Sequence, residues 1–491
     1  MLLSRRSKKR VDDLKQRETA GMKQPETTGN GGKQDMSDWI PVVDRKAGPL
    51  YRAIVDAMAA DIAAGRLGEG DRLPPQRALA EKLGIDFTTV TRAYAEAQRQ
   101  GLVEAQVGRG TFVRRRAKPP PSGRIDFAMN LPPRPSDPRL ARRLAEGLAA
   151  MGEERGLNLL MRYQAPGGTA EDRTAGAAFL APRVPSAEPG RVLVAPGAQG
   201  ALAAVMLHLC RAGDVVLADR LTYPGFRALA GRLGLSLVGV DGDEEGLLPD
   251  ALESLVIRHR PKALYLNPTL NNPTTITLSP ERRADVVAIA RRHGLALVED
   301  DAYGALPLQP PPSLAALAPE LTYHVAGLAK CLSPALRIAY LAAPDEETAD
   351  RLKDTIRATA TMASPLSAAL ATLWLADGTA AAMLAAIRVE TRMREAIART
   401  LLPAGSLLSD PACFHGFLTL PEGWTRDALL VRLEGIALGV VPSEAFALGD
   451  PPESVRIGYG TAPDRNSFET SIARIAALLS VPPSASGNWV V

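Results

Sequence analysis

Through most of the chain, short β-branched or apolar runs alternate with Ala/Leu/Arg-rich stretches of helical periodicity. The runs Arg191 to Ala195, Asp214 to Ala218, Leu235 to Val240, Ala263 to Asn267 and Leu295 to Glu299 predict βαβ units around a mostly parallel sheet. Beyond about residue 345 come long Ala/Leu/Arg helices, then strand-like segments at Phe414 to Leu420 and Ser454 to Tyr459. These predict a smaller α+β domain packed on the first. The N-terminal part has a different rhythm. From Pro49 to Ala64, apolar positions at Leu50, Ile54, Ala57, Met58 and Ile62 fit one face of a helix. A second helix is expected from Pro74-Pro75, since proline suits the first turn, through Ala78, Leu79 and Leu83 to Gly84. A third follows Asp86 as N-cap, with Val90, Ala93, Tyr94 and Ala97 on one face. Its other face carries Thr88, Arg92 and Arg99, with Thr91 at the edge. Leu102 to Gln106 and Gly110 to Val113 read as two strands around a basic tip, Gly108-Arg109. Three helices and a wing in this order suit major-groove reading by the third helix.

The expected organisation is a disordered tail over 1–40, a winged helix-turn-helix over 41–113, a linker over 114–124, a large α/β domain over 125–345, a small domain over 346–480 and a tail over 481–491. The first segment is polar and poor in aromatics, so it buries too little to offset ordering entropy. Met22 and Met36 stay open as translation starts. The linker's Pro119-Pro120-Pro121 favours extended polyproline geometry.

Charge sharpens the division. The chain of 491 residues carries +4 in all, yet residues 45–124 hold 15 Lys/Arg against 8 Asp/Glu and residues 125–491 a net −5. A basic N-terminal module is what contact with phosphates requires. Three scattered cysteines and five histidines show no metal-ligand spacing, so no metal is expected. No run approaches the ~20 apolar residues of a membrane helix, and the N-terminus lacks the apolar core of a secretory signal. The expectation is a cytoplasmic protein, nucleoid-associated when on DNA, with no membrane partner.

The chemistry lies in the C-terminal body. Pyridoxal 5'-phosphate (PLP) needs an amine for a Schiff base, an acid at its ring nitrogen, donors to its phenolic oxygen, an aromatic over the ring and a phosphate cup. Lys330, in Gly327-Leu328-Ala329-Lys330, is the candidate amine. Asp300, at the end of an apolar run, suits the ring nitrogen. Tyr303 and Asn272 suit the phenolic oxygen, and Tyr223 the stacking face. Gly197, Ala198 and Gln199 form a turn between a strand and a helix, where free N–H groups favour an anion. Arg337 adds charge.

The residues Leu73-Pro74-Pro75-Gln76-Arg77, Thr88 to Tyr94 and Gly108 to Val113 resemble the winged helix of GntR-family regulators. The resemblance implies DNA contact by Arg77, Thr88, Thr89, Thr91 and Arg109, with Arg92 and Gly110 beside them. Phe87 departs from it, standing where many relatives have arginine. The body resembles fold-type I aminotransferases, and the whole chain resembles a MocR-type regulator: a multidomain protein of winged helix-turn-helix plus α/β fold-type I body. That resemblance implies that Tyr163 reaches the phosphate of the other subunit of a homodimer and that Arg456 holds an effector carboxylate. It implies a double-stranded DNA operator and an amino-acid-like effector that displaces Lys330. Gly327, Ala329 and Ala198 depart from it, standing where relatives place hydroxyls. The residues leave open a working aminotransferase, residual half-transamination, and a body that has lost PLP and only dimerises.

Overall fold

The computed structural model describes residues 39–43, 49–63, 66–68, 70–99, 102–106, 110–113, 125–135, 137–154 and 156–481. Arg109, the linker at 114–124, nearly all of the expected N-terminal tail and the last ten residues lie outside them. The chain separates into two compact units, Met1–Ser122 and Gly123–Val491.

In the first unit, α1 (Leu50–Ala63), α2 (Gln76–Leu83) and α3 (Phe87–Arg99) pack on the hairpin of β1 (Val103–Gln106) and β2 (Gly110–Val113). Their apolar faces meet in one core that includes Ile54, Met58, Leu79, Val90, Tyr94 and Val113. Asp86 caps α3 by accepting from the Thr88 N–H at 2.8 Å, which satisfies a donor the helix start leaves free. The boundary expected at residue 40 moves. Trp39 is buried in this core and donates its indole N–H to Asp61 at 2.8 Å, so an aromatic assigned to the tail is part of the folded head.

The second unit is built on seven strands: β3 (Val192–Ala195), β4 (Val215–Asp219), β5 (Ser236–Val240), β6 (Ala263–Leu266), β7 (Ala296–Asp300), β8 (Thr322–Gly327) and β9 (Ala339–Ala342). Their spatial order is β3-β9-β8-β7-β6-β4-β5. All run parallel except β9, which pairs antiparallel with both β8 and β3. The βαβ pattern misses this strand because only the short segment 328–338 joins β8 to β9, with no helical crossover. That segment carries Lys330 and Arg337.

A second sheet, β10 (Leu407–Ser409), β11 (His415–Thr419), β12 (Val441–Pro442) and β13 (Ser454–Gly458), has the order β10-β11-β13-β12. The first residues of the body join this sheet's side of the molecule. Ile125–Asp126 pairs with Leu438–Gly439, and Phe127 C=O accepts from Gly458 N–H at 2.9 Å. Residues 127–131 run so close to β13 that a Cβ on Gly458 would stand 2.7 Å from the Met129 carbonyl, and one on Gly460 1.8 Å from that of Leu131. Among the described residues no single helix is long and apolar enough to cross a membrane.

Beneath the carboxyl ends of β7 and β8 lies a buried charge network. Glu299 accepts from the N–H groups of Leu314 and Ala315 at 2.9 and 3.0 Å and pairs with His324 Nδ1 at 2.8 Å. Arg183 pairs with Asp301 at 2.8 Å. Fully buried Arg283 stands 3.7 Å from Glu299 and donates to the carbonyls of Leu278, Pro268 and Pro312. It thereby pins both ends of the 268–278 loop. We expect Arg283→Met to cost about 3–5 kcal/mol, because it removes the guanidinium that faces the buried Glu299 carboxylate and a donor to three carbonyls. Thermal unfolding checks this, and a change below about 1 kcal/mol would refute the role given to Arg283.

Candidate functional site

The parallel strands deliver their carboxyl ends to one cleft, the usual ligand position in open α/β sheets. Asp300 ends β7, and Asn267 follows β6. Lys330 lies three residues past β8, and Tyr223 opens the helix after β4. The opposite wall comes from β11 and β13 of the second sheet, which supply His415 and Arg456, and from the 127–131 segment.

Lys330 reaches into this cleft. Its Nζ donates to the Asn130 carbonyl and stands 5.9 Å from the centroid of the Tyr303 ring. Burial, and then the Arg456 cation, push its amine down to about 8, against an opposing pull from Asp300. Asp300 is buried, and its Oδ2 accepts from the Tyr265 hydroxyl at 2.8 Å. Its Oδ1 is buried with no partner. Burial raises its carboxyl to about 6, with Tyr265 opposing. Tyr265 is itself stacked on Phe226, with ring centroids 3.6 Å apart.

Arg456 is buried. It donates through Nη1 to Asn272 Oδ1 at 3.0 Å and through Nη2 to the Ala128 carbonyl at 2.5 Å. Its Nε is buried without a partner, and its guanidinium lies 5.3 Å from the Phe446 ring centroid. Asn272 N–H is fixed in turn on Asn267 Oδ1 at 3.0 Å. Tyr303 is buried, and its hydroxyl accepts from Asn130 Nδ2 at 2.8 Å.

At the other end, α4 (Gly197–Leu209) starts after Pro196 with no side-chain cap, so its first N–H groups stay available to an anion. The Arg337 guanidinium carbon lies 3.6 Å from where a Cβ on Gly197 would stand. Gln199 ties this turn to the next by donating to the Gly225 carbonyl at 2.8 Å. Gly225 is required there, because a Cβ would fall 2.3 Å from the Tyr223 ring. The structure thus brings Lys330, Asp300, Asn272, Tyr303, Tyr223, Arg456 and the Gly197, Ala198, Gln199 and Arg337 cup around one cleft. Tyr163 is not brought to it and is 85% exposed.

Three residues of the cleft went unread in the sequence: Tyr265, Asn130 and His415. Tyr265 had a signal, being the lone polar-tipped side chain in the aliphatic run Ala263 to Leu266. Asn130 and His415 had none at the level of local pattern, because each is brought to the cleft by a separate chain segment.

In the head, Arg77, Thr88, Thr91, Arg92 and Gly110 are exposed and Thr89 is half-buried. Thr91 donates to Gln76 Oε1 at 2.9 Å, locking α3 to α2. Phe87 packs under Arg77, whose guanidinium lies 5.6 Å from its ring centroid. Arg92 lies 4.2 Å over the Tyr51 ring.

The fold and cleft agree with the relatives of the chain. Residues 124–467 match the model of aminotransferase class I and II, and residues 50–113 that of the bacterial regulatory proteins of the gntR family. The uncharacterized HTH-type transcriptional regulator YdeF of Bacillus subtilis is 29% identical over 454 residues, 90% of this chain and 96% of its own. The HTH-type transcriptional regulator TauR of Rhodobacter capsulatus is 29% identical over 482 residues, 88% of this chain and 97% of its own. Among solved structures, α-aminoadipate aminotransferase LysN of Thermus thermophilus, complexed with N-(5'-phosphopyridoxyl)-L-leucine, superposes with a TM-score of 0.66. It is 27% identical and covers 73% of this chain and 92% of its own. With both models matched in this order, the chain belongs to the aminotransferase class I and II family and carries a GntR-family head, as in relatives named HTH-type transcriptional regulators.

Proposed function

We propose that the protein is a transcriptional regulator that binds double-stranded DNA as a homodimer and senses a small molecule bearing an amine and a carboxylate through PLP held in its body. This reading places it in the cytoplasm, on the nucleoid when DNA-bound. The observation that carries it is the pairing of the partnerless Oδ1 of Asp300 with an enclosed Lys330 amine, in a chain whose other unit is a winged helix.

The residues fit the cofactor. Asp300 Oδ1 would take the protonated ring nitrogen, Asn272 and Tyr303 the phenolic oxygen, and Tyr223 a ring face. The α4 amides and Arg337 would take the phosphate, with Tyr163 of a second copy completing the cup. When bound, the cofactor supplies an aldehyde that condenses reversibly with amines and a ring that withdraws electrons. Arg456 suits a carboxylate because its planar fork matches two oxygens.

Sensing on this reading follows from what the two cations hold in the cleft. Arg456 is bonded to the Ala128 carbonyl and Lys330 to that of Asn130. A carboxylate on Arg456 would compete with the Ala128 carbonyl, and an amine that displaces Lys330 from the cofactor would leave Lys330 free to hold Asn130, so ligand capture alters what fastens the first residues after the linker. Regulation requires that the ligand bind the two resulting states unequally, typically by ~1–3 kcal/mol. The same side chains would serve transamination, and the two readings part on DNA.

The deciding experiment is DNA binding by the full chain, measured by fluorescence anisotropy at several salt concentrations with duplexes from upstream of its own gene. We expect preference over scrambled duplexes, and Arg77→Ala should weaken binding to all sequences and lower the salt slope by about 1. Equal affinity for scrambled DNA would refute the regulator reading.

Capture of PLP needs a neutral amine, so its rate should rise with pH through a midpoint near the value of about 8 at Lys330. Removing the nearby cation in Arg456→Gln should move that midpoint up, and removing the anion in Asp300→Asn should move it down; stopped-flow absorbance reads both. The phosphate cup gives a further check. A Cβ on Gly327 would meet Ala198 Cβ at 3.4 Å and its amide nitrogen at 3.9 Å, so a serine side chain fits there. Gly327→Ser should tighten PLP roughly 3–10-fold by one added hydrogen bond, as measured by absorbance titration. No gain would mean the phosphate lies elsewhere.

A further inference from the structure

Asn130 stands at the meeting point of the cleft's polar groups. Its carbonyl accepts from Lys330, and its Nδ2 lies 2.8 Å from the Tyr303 hydroxyl and 3.1 Å from His415 Nδ1. An amide can be turned either way about this axis, and the surroundings decide which.

The decision starts at His415. Its Nε2 lies 3.2 Å from the Asn271 carbonyl, which can only accept. The ring is buried and held neutral, first by burial and then by Arg456, with Lys330 adding to it. A neutral imidazole has one N–H, and here Asn271 takes it. Nδ1 is therefore an acceptor. It faces two donors, Asn130 Nδ2 and the Cys413 thiol, each at 3.1 Å; burial raises that thiol's pKa, so it keeps its proton. Reversing the Asn130 amide would set Oδ1 against Nδ1, two acceptors face to face beside a buried ring. Asn130 thus gives one amide hydrogen to His415 and the other to the Tyr303 oxygen. With that oxygen already accepting, the phenolic proton of Tyr303 is free to be donated into the cleft.

We infer that Asn130 is a positioning residue: its amide, oriented by the neutral His415, makes the Tyr303 hydroxyl a donor to the cofactor's phenolic oxygen. This rests on the proposed PLP site. It adds that two residues from distant segments, neither touching the ring nitrogen or the phosphate, set the protonation of the bound group.

A donor to the charged phenolic oxygen favours its ionised form, so losing it should raise the pH midpoint of the visible absorption change in the PLP-loaded protein. The expected shift for Asn130→Leu, which removes the donors without adding a charge, is roughly half to one pH unit upward. His415→Phe should shift it the same way by less, and Cys413→Ala should leave it in place. Tyr303→Phe is the reference and should move the midpoint at least as far as Asn130→Leu. If Tyr303→Phe moves it and Asn130→Leu does not, the inference is wrong while the PLP site stands. If Tyr303→Phe has no effect, the placement of Tyr303 fails and takes the inference with it. A second measurement needs no cofactor. Nitrogen-15 spectra of the five histidine rings in the apo protein should show His415 neutral at pH 7 with its proton on Nε2, and Asn130→Leu should move its Nδ1 signal. A charged or Nδ1-protonated His415 would overturn the inference.

Discussion

Two cations, Lys330 and Arg456, share one cleft away from bulk solvent, and the backbone of residues 127–131 reconciles them. Like charges in a poorly solvated space repel far more than in water, which is one reason the Lys330 amine is pulled toward neutrality. Each cation instead finds a carbonyl of the same short segment, Ala128 for Arg456 and Asn130 for Lys330. That segment cannot drift. Ile125 and Asp126 pair with Leu438 and Gly439, and Gly458 and Gly460 admit its carbonyls where any side chain would collide. The cleft is thus assembled from three parts of the chain at once: the ends of the parallel strands, the second sheet, and the residues that first follow the linker.

The acid side shows how strand geometry divides labour between neighbours. Asp300 and Asp301 are adjacent and both buried, yet successive positions at a strand end face opposite ways. Asp301 is spent on Arg183 and the charge network beneath the sheet. Asp300 is left in the cleft with one oxygen on Tyr265 and one without a partner. Unmatched buried oxygens are rare in folded proteins, and this one sits where a cationic ring nitrogen would satisfy it. Asp301 also helps keep the Asp300 carboxyl raised.

Local pattern made the elements legible. The five apolar runs read from the sequence fall within a residue or two of β3 to β7, and the head's three helices and hairpin appear in the expected order. The residues fixed by a strand end, Asp300 and Lys330, could be read because sequence position and cleft position coincide there. What stayed unread has different causes. The reversed strand β9 follows β8 through a short connection that breaks the βαβ rhythm, whereas Asn130 and His415 in the cleft are 285 positions apart and meet at 3.1 Å. Phe87 illustrates the converse, a visible departure from family pattern whose consequence, a ring packed under Arg77, needed coordinates to see.

The hydrogen bonds that Arg456 makes within the cleft also bear on how strongly a ligand could bind. A carboxylate arriving at Arg456 meets a guanidinium already bonded to Asn272 and Ala128, so it exchanges one set of hydrogen bonds for another. Exchange of like for like leaves a modest net affinity. The contacts given up are not equivalent, however. Releasing the Ala128 carbonyl removes one bond from a segment that stays paired through Ile125 and Asp126, whereas the bonds gained are to the ligand. On the proposed reading, affinity would be traded for a difference between two states of the body, and a difference of ~1–3 kcal/mol already changes a coupled equilibrium 5- to 150-fold. On the regulator reading proposed above, the bond between Arg456 and Ala128 is where a carboxylate would act on the segment that follows the head in sequence.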